Sequence, residues 1–253
     1  MQNILKVLYI LSMKNPLLFF FFILFLFPTP SNSQIYHQNG MVVSEHKIAS
    51  DVGANILKQG GNAIDATIAT AFALAVVFPQ AGNIGGGGFL VFMNADGEST
   101  SIDFREKAPL ASSMSMYLDE QGNYIPMSNH NGLLSVGVPG TVAGLWMAHQ
   151  KYGSLPWTDL VQPAIDLAAQ GVPLSYTLAQ HAKQFETNAP DEFMKNFYTN
   201  GTGIPLKMGE IWKQSELANT LSIIRDHGHN GFYSGEVAKR LAKYMADMEY
   251  HYR

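Results

Sequence analysis

A mixed α/β fold, α+β in the way it separates helices from antiparallel strands, is predicted by three stretches of this sequence. The first is AIDATIATAFALAVVF at 63–78, small and apolar almost all round, which describes a buried helix and not an amphipathic one. The second is a pair of strand-like runs, 89–93 and 99–104, around Asn94-Ala95-Asp96-Gly97. Asp-Gly between two such runs is a hairpin signal. The third is the helical periodicity that dominates after residue 157. Buried helices against a hairpin-bearing sheet give the mixed class.

The elements follow in order. Residues 49–59 read as an amphipathic helix stopped by Gly60-Gly61, and Asn62 caps the buried helix that Pro79 ends. After the hairpin, 133–138 reads as another strand, and Pro139 opens a helix running to 148. Helices are expected at 157–169, 175–185, 214–226 and 235–246. Asp65, inside an apolar helix, is expected to be a buried carboxylate bonded to backbone near the glycines. Tyr117, Trp146 and Trp157 read as packing residues. Asn200-Gly201-Thr202 fits a glycosylation sequon but reads as a turn.

Composition narrows the function classes. With 47% hydrophobic and 14% charged residues the chain is globular rather than disordered. The net charge is −4 with no block of either sign, so no nucleic-acid partner is expected. There is no cysteine, which excludes disulfides, thiolate metal sites and a cysteine nucleophile. The eight histidines are scattered, and His227 and His229 flank a glycine at an expected helix end, so no metal site is expected.

Lys6 and Lys14 precede an unbroken apolar run at 17–27, followed by Pro28, Thr29, Pro30 and Ser31-Asn32-Ser33. A positive flank, a short apolar core and small residues before a cleavage point describe a signal peptide at 1–33, with a mature start near Gln34. The alternative is an uncleaved anchor, since residues 4–12 add apolar character. Cleavage takes away two lysines and no acid, moving the net charge from −4 to −6. Export without cysteine fits a bacterial periplasm or secretion better than a disulfide-rich exterior. From 34 to 253 no linker or repeat appears, which suits one domain or part of a larger one.

Gly85-Gly86-Gly87-Gly88 is the most conspicuous string. A dinucleotide fingerprint needs a strand before its glycines and a helix after them, whereas the order here is reversed and Leu90 stands where the last glycine belongs. A P-loop needs a following Gly-Lys-Ser/Thr, which is missing. A bare hinge and a close approach of backbone to a ligand or neighbouring strand both remain open.

Taken together, several motifs resemble the γ-glutamyltranspeptidase family. They are Ile56-Leu57-Lys58-Gln59-Gly60-Gly61-Asn62-Ala63-Ile64-Asp65-Ala66, then Pro79-Gln80-Ala81-Gly82-Asn83-Ile84 leading into the glycine run, then Asp103-Phe104-Arg105-Glu106. Val138-Pro139-Gly140-Thr141-Val142-Ala143-Gly144 and Leu160-Val161-Gln162-Pro163-Ala164 continue the likeness in order, from about residue 40 to about 246.

The resemblance implies an N-terminal-nucleophile hydrolase with a four-layer αββα sandwich, incomplete in this chain. It implies a precursor that cleaves itself ahead of a threonine, which then attacks the γ-glutamyl amide of glutathione or a related donor. The acyl group passes to water, an amino acid or a dipeptide. A threonine hydroxyl is a poor nucleophile until a base, here its own α-amine, takes its proton. No metal or organic cofactor is implied. Arg105 matches the arginine that grips the donor's α-carboxylate, a role suited to a planar and permanently charged fork. Asp103 and Glu106 are expected to hold that guanidinium, and the glycine run to admit a central strand where layers pack closely. Without the family, Arg105 reads as a surface ion pair with those acids.

The resemblance also implies that the nucleophilic threonine lies beyond residue 253, in a small subunit from the same precursor. Residues 34–253 are then expected to be a truncated N-terminal portion of the large subunit, inactive by itself. The stretch Met248-Glu249-Tyr250-His251-Tyr252-Arg253 departs from the Asn/Gly-rich turn and Ile-Thr pair that family members usually carry there. Alternatives are a non-catalytic remnant, or a relative acting as a cephalosporin acylase or a capsule transpeptidase.

Overall fold

A computed structural model describes residues 38–188 and 192–249. The expected signal peptide, the mature start at Gln34 and the tail from Tyr250 onward lie outside them. The first helix among the described residues, α1 (Lys47–Lys58), begins at His46, whose ring Nδ1 accepts from the Ile48 amide at 3.3 Å. It stops as the glycine pair predicts. Gly60, at φ +94°, donates to Leu57, and Gly61 donates to Ile56 at 3.0 Å. That double closure satisfies the last carbonyls of the helix.

Asn62 opens α2 (Ala63–Val77) with a reciprocal cap. Its side chain accepts from Ile64 and Asp65, and Asp65 accepts from the Asn62 amide at 2.9 Å. Eleven of the fifteen α2 residues are buried, so the helix is covered on nearly every side as its composition requires. The main chain of α2 comes close to α1 at Gly53, where a Cβ would overlap the Thr70 hydroxyl.

Strands β1 (Phe89–Met93) and β2 (Ser99–Asp103) pair antiparallel, with Leu90 opposite Ile102 and Phe89 opposite Asp103. The turn takes Gly97 to φ +84°, and Asn94 Oδ1 accepts from the Asp96 and Glu98 amides. Side chains alternate across the hairpin. Leu90 and Ile102 join the core, whereas Phe89, Val91 and Met93 point away and are 64%, 82% and 68% exposed.

Two expectations for the next stretch need correction. Residues 133–138 are not a strand. Leu133–Ser135 is a single 3₁₀ turn closed by Ser135 Oγ donating to the Gly132 carbonyl at 2.7 Å, a local bond that competes with a ladder. Only Val138 pairs, in an isolated antiparallel bridge with Lys107. The following helix, α3 (Thr141–Tyr152), begins at Thr141 rather than Pro139, because the carbonyls that would open an earlier turn are taken: Val138 O accepts from Lys107, and the Tyr233 hydroxyl lies between Pro139 O and the Ala143 amide. The Gly140 and Thr141 amides, free at the helix start, donate to Gly86 O at 2.7 and 3.0 Å.

The remaining helices are α4 (Trp157–Gln170), α5 (Tyr176–Asn188), the short α6 (Glu192–Asn196), α7 (Ser215–Tyr233) and α8 (Glu236–Glu249). A two-residue pair, β3 (Val172–Pro173) with β4 (Ile211–Trp212), ties the α4 exit to the α7 entry. Helix α7 outruns its expected end at 226 by seven residues. It is broken at Gly228, φ +54°, against the Trp146 ring, where a Cβ would collide.

The packing roles of Trp146 and Trp157 are as expected. Trp157 stands edge-on to Phe72 and to Trp146, and its indole N–H donates to Ile224 O at 3.0 Å. Tyr117 donates to the Leu134 carbonyl. Asn200 does form a turn, at φ +51°, with Gly201 at φ +77°. Its side chain donates to Ile211 O and accepts from the Lys213 amide.

Candidate functional site

The glycine run is a place of close approach, and its members differ. Beside Gly85 nothing lies within 4 Å of a would-be Cβ. A Cβ on Gly87 would meet the Glu106 amide and Arg105 Cα, and one on Gly88 would lie 2.9 Å from the Phe104 ring. Gly88 and Phe104 exchange both backbone bonds, at 3.0 and 3.4 Å, which extends the hairpin one step past its strands. On the opposite side Gly140 abuts the Phe104 carbonyl and Gly144 lies against the Phe104 ring. Bare backbone therefore encloses 104–106 from two directions.

Arg105 emerges from this enclosure with its side chain 61% exposed. Its Nη2 donates to Glu106 Oε1 at 3.2 Å, and its guanidinium carbon lies 5.9 Å from the Phe89 ring centre. Glu106 thus pairs with the guanidinium. Asp103 does not: its Oδ1 accepts from the Arg105 main-chain amide at 3.0 Å. The reason is local, since an Asp closing a strand folds readily over the amide two residues on. Asp103 fixes the Arg105 backbone, and Glu106 fixes one edge of the fork.

An exposed pair of this kind contributes little to stability. Its own backbone amide first, and then the Arg105 guanidinium, hold the Glu106 carboxyl below its usual range. Among the described residues the guanidinium has no other hydrogen-bond partner. A planar fork with donors to spare is a group able to pair with a planar anion.

Three residues around the site were not singled out from the sequence. Asn83 Oδ1 accepts from the Gly86 amide at 2.9 Å and from the Thr141 hydroxyl at 2.6 Å. Tyr233, at the end of α7, donates to Pro139 O at 2.9 Å and accepts from the Ala143 amide. Burial pushes its hydroxyl pKa up, and the Ala143 amide partly offsets this. Asn83 and Thr141 both sit inside quoted motifs. Tyr233 gave no signal, because it lies past the expected end of its helix.

Asp65 is fully buried and bonded to backbone, as expected, beside both Gly61-Asn62 and Gly153-Ser154. Among the described residues no group of three His, Asp or Glu side chains is placed to hold a metal ion.

Comparison with known proteins identifies the family of the chain. The Gamma-glutamyltranspeptidase family model matches residues 49–249. The glutathione hydrolase proenzyme of Pseudomonas sp. (strain A14) is 46% identical over 220 residues, which is 85% of this chain and 38% of that relative. The glutathione hydrolase proenzyme of Escherichia coli (strain K12) is 42% identical over 209 residues, 82% of this chain and 36% of the relative. The chain therefore spans well under half the length of these relatives. The crystal structure of Helicobacter pylori γ-glutamyltranspeptidase superposes with a TM-score of 0.80 at 42% identity, covering 85% of this chain and 62% of that one. Its helices and hairpin are thus part of an N-terminal-nucleophile hydrolase fold, and the chain belongs to the γ-glutamyltranspeptidase family of enzymes.

Proposed function

We propose that this chain serves γ-glutamyl transfer and hydrolysis, with glutathione or a related γ-glutamyl compound as donor and water, an amino acid or a dipeptide as acceptor. Arg105 binds the donor's α-carboxylate, Glu106 orients its guanidinium and Asp103 sets its backbone. The observation that carries this reading is the fork itself, held on one edge by Glu106 at 3.2 Å and otherwise unpaired among the described residues. Self-cleavage ahead of a threonine, and a small subunit from the same precursor that bears it, complete the proposal. The proenzyme names of the relatives support it. Cephalosporin acylation and capsule transpeptidation are not favoured, because the relatives at 42–46% identity are glutathione hydrolases by name.

The test is a hybrid precursor in which residues 49–249 replace the matching segment of the Pseudomonas proenzyme. Release of chromophore from a γ-glutamyl anilide by the self-cleaved hybrid is the expected result. A hybrid that cleaves itself yet shows no turnover, beside an active parent, rejects the proposal.

Export belongs to the same proposal, with residues 1–33 removed as a signal and the mature chain periplasmic or secreted. N-terminal sequencing of the envelope and medium fractions is expected to give a start near Gln34. An intact Met1 on the accumulated product overturns the cleaved form.

A further inference from the structure

The main chain around Arg105 is set by two walls, Gly87 on one side and the Gly140 turn on the other, and neither wall touches Arg105 through a side chain of its own. What joins the walls is a small circuit. Gly86 O accepts from the Gly140 and Thr141 amides, the Gly86 amide donates to Asn83 Oδ1, and the Thr141 hydroxyl donates to the same oxygen. Asn83 Nδ2 closes its own turn on Ala81 O at 3.2 Å. Thr141 is buried, so its hydroxyl has no solvent to fall back on if Asn83 is lost.

We propose that Asn83 is a positioning residue for Arg105, acting by clamping the glycine turn to the first residue of α3 and so fixing the backbone from which the guanidinium projects. The inference rests on the reading of Arg105 as the donor-carboxylate residue. Asn83 touches no substrate in it. One oxygen accepts two bonds, one from Gly86 in its own turn and one from Thr141, 58 positions away. Removing that oxygen leaves only the two bonds that Gly86 O accepts from the Gly140 and Thr141 amides, and the junction between the walls at Gly87 and Gly140 loosens. The fork then keeps its charge and Glu106, yet its position drifts. Displacement of a binding group weakens capture of the ground state more than it slows a chemical step to which that group does not contribute.

Two measurements test this. In the chain itself, hydrogen exchange at the amides of Gly88, Phe104 and Lys107 is expected to accelerate about tenfold in Asn83→Ala, the equivalent of one net hydrogen bond lost, with the α4 amides unchanged. Asn83→Asp keeps an acceptor for both donors and is expected to exchange nearly as the parent does. In the hybrid precursor, Asn83→Ala is expected to raise KM for a γ-glutamyl anilide about tenfold, with kcat within about twofold and Asn83→Asp restoring most of the loss. Should Asn83→Ala yield too little folded protein, Thr141→Val, which deletes only the donated bond, takes its place with Thr141→Ser as the rescue.

Parent-like exchange and KM in these variants, alongside a raised KM in Arg105→Ala, overturn the Asn83 role alone. A parent-like KM in Arg105→Ala overturns the donor-site reading, and the Asn83 role with it.

Discussion

Asp65 and Ser154 stand 89 positions apart and are joined through both main chain and side chain: the Ser154 amide donates to Asp65 Oδ1 at 3.0 Å and its hydroxyl to Oδ2 at 2.5 Å. The same carboxylate accepts from the Asn62 and Leu155 amides. Asn62 adds a bond of its own to Tyr152 O at 2.7 Å. A buried charge is tolerable when it is well hydrogen-bonded, and here one carboxylate caps α2 while closing the turn between α3 and α4.

Asp65→Ala is therefore expected to destabilise the chain by about 2–4 kcal/mol, since it leaves several buried donors without partners. Asp65→Asn, which keeps one oxygen but turns an NH2 toward the Ser154 amide, is expected to fall between the two. Urea unfolding of the three proteins checks this, and an Asp65→Ala midpoint equal to the parent's refutes it.

The glycine run offers a sharper contrast, because its members are chemically identical and differ only in surroundings. Gly85→Ala places a methyl where nothing lies within 4 Å and is expected to change stability by less than about 0.5 kcal/mol. Gly87→Ala places one against the Glu106 amide and Arg105 Cα, backbone that cannot rotate away. A loss of about 2 kcal/mol is expected, as for other overpacked sites. Equal stabilities for the two variants would return the run to a plain hinge.

Much of this was legible because local chemistry and tertiary setting agree. The α1 stop at Gly60-Gly61, the Asn62 cap and the Asp96-Gly97 hairpin all follow from residues within a few positions of one another. What escaped depends on distant partners. No local signal shows that the Tyr233 hydroxyl stands between Pro139 O and the Ala143 amide and so delays α3, or that the Trp146 ring fills the break at Gly228 and lets α7 reach Tyr233. The role proposed for Arg105 comes only from the family's motif, since by spacing alone it is one cation beside two acids. Which acid takes the guanidinium needed the backbone: β2 ends at Asp103, so that side chain turns to the main chain and leaves the fork to Glu106.

Glu106 carries a pH expectation. Its carboxyl is held below the ordinary range when folded, so its pairing with Arg105 is complete above the unfolded value, about 4.3, and is lost as pH falls through the lower folded value. The pair is thus intact across neutral pH. Carbon-detected NMR titration is expected to give Glu106 a midpoint below that of exposed glutamates in the same chain. A midpoint at or above theirs would mean that the pair does not persist in solution.

The last prediction concerns Arg105 in the self-cleaved hybrid. Arg105→Lys keeps a positive charge but replaces a planar fork with a single ammonium. If the fork grips a carboxylate in two parallel bonds, the lysine variant loses one of them along with the fixed geometry that Glu106 provides. Removing one partner of a charged pair in a desolvated contact costs about 2–5 kcal/mol; lysine retains part of the attraction, so an increase in KM for glutathione of about 10- to 100-fold is expected. Self-cleavage is expected to proceed normally, because it needs the nucleophile and its base but no donor carboxylate. The Glu106→Gln variant makes the complementary case: the fork remains but loses its anchor, and a smaller rise in KM is expected. Steady-state kinetics with glutathione, and with an analogue lacking the α-carboxylate, separate the causes. The carboxylate-free analogue should bind equally weakly to the parent and to Arg105→Lys. If Arg105→Lys instead binds glutathione as the parent does, the guanidinium is a surface partner of Glu106 and nothing more.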